Sequence, residues 1–148
     1  MKEEKVCIKL LNDKATLPTY GSVDAAGADL YANIDEVLEI APHETKLVKT
    51  GVAMAIPKGL VGLVFARSGL ASKRSLAPAN KVGVIDADYR GEIMVALHNH
   101  SDIPQTIEPN ERIAQIAFVP YIKGNFEIVD DLEETIRGEG GFGSTGTK

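Results

Sequence analysis

The chain has 148 residues, 44% of them apolar, with 14 glycines, one cysteine, no tryptophan and a net charge of −5. That length supports one hydrophobic core, and the apolar content excludes wholesale disorder. The acidic balance excludes a broad surface for nucleic acid or an anionic membrane, which both need a positive field; a small polyanion could bind only where Arg and Lys are gathered locally.

A lone cysteine forms no internal disulfide, which fits a reducing, cytoplasmic setting. Cys7 lies inside an apolar stretch and is expected as a small core residue. Met1-Lys-Glu-Glu-Lys5 leads into only a short apolar run, so neither a signal peptide nor a transmembrane segment is expected.

No helical period is sustained. Short alternating runs recur instead, and Val6–Leu11, Val37–Ile40, Leu47–Ile56, Val61–Phe65, Val82–Ile85, Glu92–His98, Arg112–Val119 and Phe126–Val129 all read as strands. Turns fall at Pro57–Gly59, Asp86–Gly91 and Pro109-Asn110, and Ser68–Lys73 suits one or two helical turns. Glu92–His98 is apolar on both faces, which suits a strand inside a sandwich or at a subunit contact. Short strands with regularly spaced turns predict an all-β, single-domain, jelly-roll-like sandwich or barrel with one short helix. The domain is expected over 1–134, with 135–148 as its flexible glycine-rich tail.

Three internal segments are too polar for their setting. In Ala26-Gly27-Ala28-Asp29-Leu30, Asp29 stands at the start of a strand, where a turn aspartate capping local amides is the structural alternative. In Phe65-Ala66-Arg67-Ser68-Gly69-Leu70, an apolar strand runs into an arginine fork, a hydroxyl and exposed amides at a helix start, a compact anion site; the alternative is a surface ion pair plus a serine cap. In Asn80–Gly91, a hairpin is expected, with strand Val82–Ile85, turn Asp86–Tyr89 and a second strand from Glu92. Such turns carry Asp and Gly for geometry alone, but this one gathers two carboxylates and an aromatic ring, and Asn80 can offer both a donor and an acceptor to the edge of a base.

The tail, Arg137-Gly-Glu-Gly-Gly-Phe-Gly-Ser-Thr-Gly146, cannot bury itself in a core, because glycine loses the most backbone freedom on ordering. Its bare amides, the Ser144 and Thr145 hydroxyls and Arg137 form a donor-rich strip suited to phosphate, and Phe142 adds a flat face suited to a base. It therefore reads as a nucleotide lid, against the alternative of a disordered terminus. Its spacing nearly copies a P-loop but lacks the lysine and a following helix. His43, His98 and His100 show no metal-ligand spacing, although His98 and His100 share a strand face.

These segments, in this order, closely resemble the trimeric all-β dUTPases. The family's motifs correspond to Ala26–Leu30, Ala66–Ala71, Gly83–Ile93, Glu111–Gln115 and Arg137–Gly146, nearly the whole chain; Ala66 stands where many members carry proline. The resemblance implies hydrolysis of dUTP to dUMP and pyrophosphate with Mg2+, by water attack on the α-phosphorus, with Asp86 orienting and deprotonating the water. It implies that Asn80, Gly83, Val84 and Ile85 read uracil, that Tyr89 stacks on the deoxyribose, and that Phe142 stacks on the base.

Arg67, Ser68, Gly69 and Gln115, with Arg137, Gly143, Ser144 and Thr145 from the tail, would bind the phosphates. Asp29 would hold the metal's water or the local scaffold. It further implies a homotrimer whose sites are shared between chains, the tail coming from a neighbour. The nearest rival within the fold is dCTP deaminase, which needs an acid/base glutamate where this chain has Asp-Ala-Asp-Tyr89. A rival of another class is a binding protein that keeps the nucleotide site as a sensor.

Overall fold

The computed structural model describes residues 2–147. Twelve strands and one helix follow in chain order: β1 (Cys7–Leu10), β2 (Thr19–Tyr20), β3 (Ala28–Tyr31), β4 (Leu38–Ile40), β5 (Thr45–Lys49), β6 (Val52–Ala55), β7 (Leu60–Phe65), α1 (Ser68–Arg74), β8 (Leu76–Pro78), β9 (Gly83–Ile85), β10 (Met94–Asn99), β11 (Gln105–Ile107) and β12 (Arg112–Pro120). The largest sheet has the order β2-β3-β12-β7-β9; β5-β10-β8 form a second, and the pairs β1-β6 and β11-β4 complete a jelly-roll-like all-β fold. One core cluster joins them, with Leu30, Ile40, Leu76, Leu97, Ile107 and Ile116 fully enclosed.

The run Leu47–Ile56, expected as one strand, is two. Gly51 breaks it with φ at +71°, a left-handed value that costs glycine little. A Cβ there would also lie 2.7 Å from Ala15 Cβ. The Thr50 hydroxyl donates to the Ile93 carbonyl (2.5 Å) and the Ile93 amide donates to Val52 O (2.8 Å), so the corner is tied into the core. β5 then pairs with β10 and β6 with β1, and a single apolar run serves two sheets.

The hairpin expected at Val82–Glu92 does not form. β9 pairs with β7, in the register Gly62↔Ile85 and Val64↔Gly83, whereas β10 pairs with β5 and β8. Residues 86–93 therefore cross from one sheet to the other, and β9 is an exposed edge. Close approach at Gly62 makes this pairing possible, because a Cβ there would fall 2.8 Å from Ile56 Cδ1, 3.2 Å from Ile116 Cδ1 and 3.3 Å from Ile85 Cβ. Gly62→Ala should overpack the core and lower stability by about 1–3 kcal/mol. Urea unfolding checks this, and an unchanged midpoint would show that the three neighbours yield freely.

Two further expectations are corrected. Cys7 is exposed, not a core residue: β1 pairs only with β6, and its alternation turns Ile8 inward and Cys7 outward. Phe126–Val129 is not a strand in the single chain. The backbone leaves the sheets at Pro120, and beyond it Ile122, Phe126 and Ile128 are almost completely exposed. The alternation is present, but no strand lies alongside to take up the backbone hydrogen bonds. In the β5-β10-β8 sheet, Val95, Leu97 and Asn99 face inward while Met94 and Leu47 are open on the other face.

Candidate active site

The sequence Thr19–Asp29–Gln115–Phe65 runs as one row of partners across β2, β3, β12 and β7. Partners in such a row present their side chains on one face. The row therefore sets Asp29 beside Gln115 at the point where β7 hands over to α1, and a cleft of about 200 Å3 opens there. Gly21, Ala25, Gly27, Asp29, Arg67, Ser68, Gly69 and Gln115 line it.

Each polar group in the cleft has a reason for its aim. Arg67 Nε donates to Asp29 Oδ1 at 2.8 Å, which orients the guanidinium. Asp29 is nearly buried, and burial of a carboxylate requires such a partner. Gln115 Nε2 donates to the Ala66 carbonyl at 2.9 Å and so pins the end of β7. Gly27 makes room for that side chain: a Cβ on it would meet Gln115 Oε1 at 2.3 Å. Arg67, not Ser68, occupies the position that caps α1, and no side chain caps the helix. Ser68 and Gly69 are exposed, with open space where a Gly69 side chain would stand.

The second group of expected residues is on β9 and its flanking turns. The Val82 amide donates to Asn80 O (2.7 Å) and the Lys81 amide to Pro78 O (3.0 Å), and this tight turn sets Asn80 beside Gly83. Ile85 is half-buried and Val84 exposed on the sheet edge. The Tyr89 amide closes a turn on Asp86 O at 3.1 Å, and its hydroxyl donates to Glu92 O at 2.8 Å, so the ring lies across the turn. The Asp86 carboxylate is exposed and enters none of the ion pairs among the described residues.

The third group is the tail. Arg137 Nε donates to Gly140 O (2.8 Å), and successive turns follow at Gly138, Gly140, Ser144 and Gly146. Gly143 adopts φ +88°, and Phe142 is wholly exposed. Past Tyr121, whose amide reaches Gly59 O (3.2 Å), the hydrogen bonds of the tail among the described residues stay within it. The three groups do not converge: neither residues 80–92 nor 137–146 line the cleft of their own chain.

One residue beside the cleft was not singled out from the sequence. Arg112 Nη1 lies 3.5 Å from Asp29 Oδ2, on the side of the carboxylate opposite Arg67. Its signal is the broken alternation in Arg112-Ile-Ala-Gln115, where Ile113 and Ala114 are both buried. The histidines lie elsewhere. His98 and His100 rings meet edge to face at 4.5 Å, His98 Nδ1 shares a hydrogen bond with Thr45 Oγ1 (2.8 Å), and His43 Nε2 meets Asp102 (2.8 Å). Desolvation, then the charges of His98, Lys81 and His43, hold the His100 pKa below its ordinary 6.5. No group of three metal-binding side chains occurs among the described residues.

Fold and cleft together define an all-β protein with an arginine, a hydroxyl and open backbone gathered in one cleft. The dUTPase family model matches residues 13–146. The deoxyuridine 5'-triphosphate nucleotidohydrolase of Desulfitobacterium hafniense is 53% identical over 136 residues, 90% of each chain, and that of Shewanella sp. MR-7 is 44% identical over 147 residues, 99% of this chain and 97% of its own. The dUTPase of Staphylococcus bacteriophage 80alpha, solved as a G164S mutant with dUpNHpp, superposes with a TM-score of 0.88 at 31% identity, covering 98% of this chain and all of its own. The chain belongs to the dUTPase family, the dUTP diphosphatases.

Proposed function

We propose that the protein hydrolyses dUTP to dUMP and pyrophosphate by in-line attack of water on the α-phosphorus, with Asp86 orienting the water and taking its proton. The observation that carries this reading is the cleft, where Arg67 is aimed by Asp29 next to the open Ser68 and Gly69, in a member of the dUTPase family. An arginine fork with hydroxyl and amide donors is a receptor for phosphate oxygens. Asn80 with the β9 backbone would read uracil, Tyr89 would stack on the deoxyribose and exclude a ribose 2′-hydroxyl, and Phe142 would cover the base.

A triphosphate carries close to four negative charges. The donor set fits a divalent cation that arrives on the nucleotide: Asp29 is the carboxylate lining the cleft, and no protein cage of three ligands surrounds it among the described residues. Mg2+ bound by the phosphate oxygens would offset their charge and polarise the phosphorus, with Asp29 placed to meet its water shell.

The non-converging groups support a homotrimer with shared sites. The phosphate cleft of one chain would meet the 80–92 loop of a second and the tail of a third. The exposed apolar residues after Pro120, and the open face of β10, would then be covered by neighbouring copies. No helix among the described residues is long and apolar enough to cross a membrane. We place the protein in the cytoplasm, where its activity would limit uracil incorporation into DNA and supply dUMP for dTMP synthesis.

Turnover of dUTP, dCTP, UTP and dTTP, followed by pyrophosphate and ammonia release, tests the reading. Pyrophosphate from dUTP alone is expected. Ammonia from dCTP would make the protein a deaminase, and binding of dUTP without products would make it a sensor.

A further inference from the structure

We propose that Arg112 is a positioning residue of the phosphate cleft: it neutralises the Asp29 carboxylate and holds it in place, so that Arg67 can exchange its ion pair for a phosphate oxygen. The proposal rests on the dUTP reading of the cleft.

The placement of Arg112 comes from an irregularity in β12. Arg112 pairs with Tyr31 and Ala114 with Leu30, so one extra residue, Ile113, is accommodated between them. In a regular strand Arg112 would share a face with Ala114 and Ile116, which are buried in the core. The extra residue lets Ile113 and Ala114 both turn inward. Arg112 is thereby put on the face of Gln115, alongside Asp29. Bulges of this kind re-aim a side chain beside a site.

The charges explain why a second cation is needed. Asp29 accepts from Arg67 Nε at 2.8 Å with one oxygen and faces Arg112 Nη1 at 3.5 Å with the other. Arg67 also leans on the Arg112 carbonyl at 3.5 Å, so backbone and side chain of Arg112 both bear on this cluster. With Arg67 alone the pair would be neutral, and moving Arg67 toward phosphate would leave a nearly buried carboxylate uncompensated, at substantial cost. Arg112 leaves one positive charge to spare and stays with Asp29 when Arg67 is drawn away. The neighbouring Glu111 does not cancel it, because Arg74 holds that carboxylate. Arg112 is half-exposed, and its single long contact does not need a guanidinium fork.

The test is steady-state kinetics with dUTP for Arg112→Gln and Arg112→Lys, each also in an Asp29→Asn background. Arg112→Gln should raise KM about tenfold while kcat changes less than about threefold, and Arg112→Lys should return KM to within about threefold of the parent. With Asp29→Asn already present, Arg112→Gln should change KM less than about twofold, because the carboxylate it serves is gone. A parent KM in Arg112→Gln, an equal rise in both backgrounds, or a loss that lysine does not restore would each overturn the proposal. Absence of dUTP turnover in the parent protein would instead remove the functional reading beneath it.

Discussion

Asp86→Asn is expected to lower the turnover of dUTP by about three orders of magnitude or more, with nucleotide affinity close to the parent's. A positioned general base contributes roughly 10²- to 10⁴-fold, and holding the water in line with the leaving group adds to that. Asparagine keeps the size and one acceptor oxygen but cannot take the proton. The substitution should leave the fold alone, because the Asp86 side chain is exposed and the turn is closed through its backbone carbonyl and the Tyr89 amide. Isothermal titration with a non-hydrolysable dUTP analogue and single-turnover kinetics would read the two quantities separately. Near-parent turnover in the variant would place the base elsewhere.

Removing the chain after Glu134 is expected to cut kcat/KM by about two orders of magnitude or more while the thermal unfolding midpoint stays put. Stability should be unaffected because the hydrogen bonds of the tail among the described residues are internal and Phe142 is wholly exposed. Ordering glycine-rich backbone costs roughly 1–2 kcal/mol per residue, so the tail should close only against nucleotide, whose phosphates and base supply the missing partners. Closure excludes water and strengthens the electrostatics inside. Full activity in the shortened protein would refute a lid; a lowered midpoint would mean that the tail is part of the fold.

The site was legible to an uneven degree. Arg67-Ser68-Gly69 could be picked out because an apolar strand running into a fork, a hydroxyl and a glycine is visible over six residues. The row that joins Asp29 to Gln115 was not, since its members lie on strands far apart in sequence. The contact of Asp29 with Arg67 at 2.8 Å, which gives the arginine its direction, joins residues 38 apart and is equally invisible in the sequence. The placement of Arg112 is faint in the sequence because a bulge shows only as two consecutive apolar residues in an alternating strand, a pattern shared by any small irregularity.

Pairing was the least accessible feature. Gly51 divides the run Leu47–Ile56, which reads as one strand, and Val82–Ile85 joins β7, not the strand that follows it. Alternation reports that a segment is a strand; which strand lies beside it depends on close approaches such as that at Gly62, which sequence spacing does not encode.

Local pattern and chemistry were thus enough for the all-β class, the short helix and a tail unable to bury itself. These depend on the character of each residue and its near neighbours. The tertiary structure alone decided that Asp29, Arg67, Gln115 and Arg112 meet, that residues 86–93 cross between two sheets, and that the three groups lie apart within one chain. Those are consequences of non-local strand pairing and a shared core, in which residues distant along the chain compete for the same space.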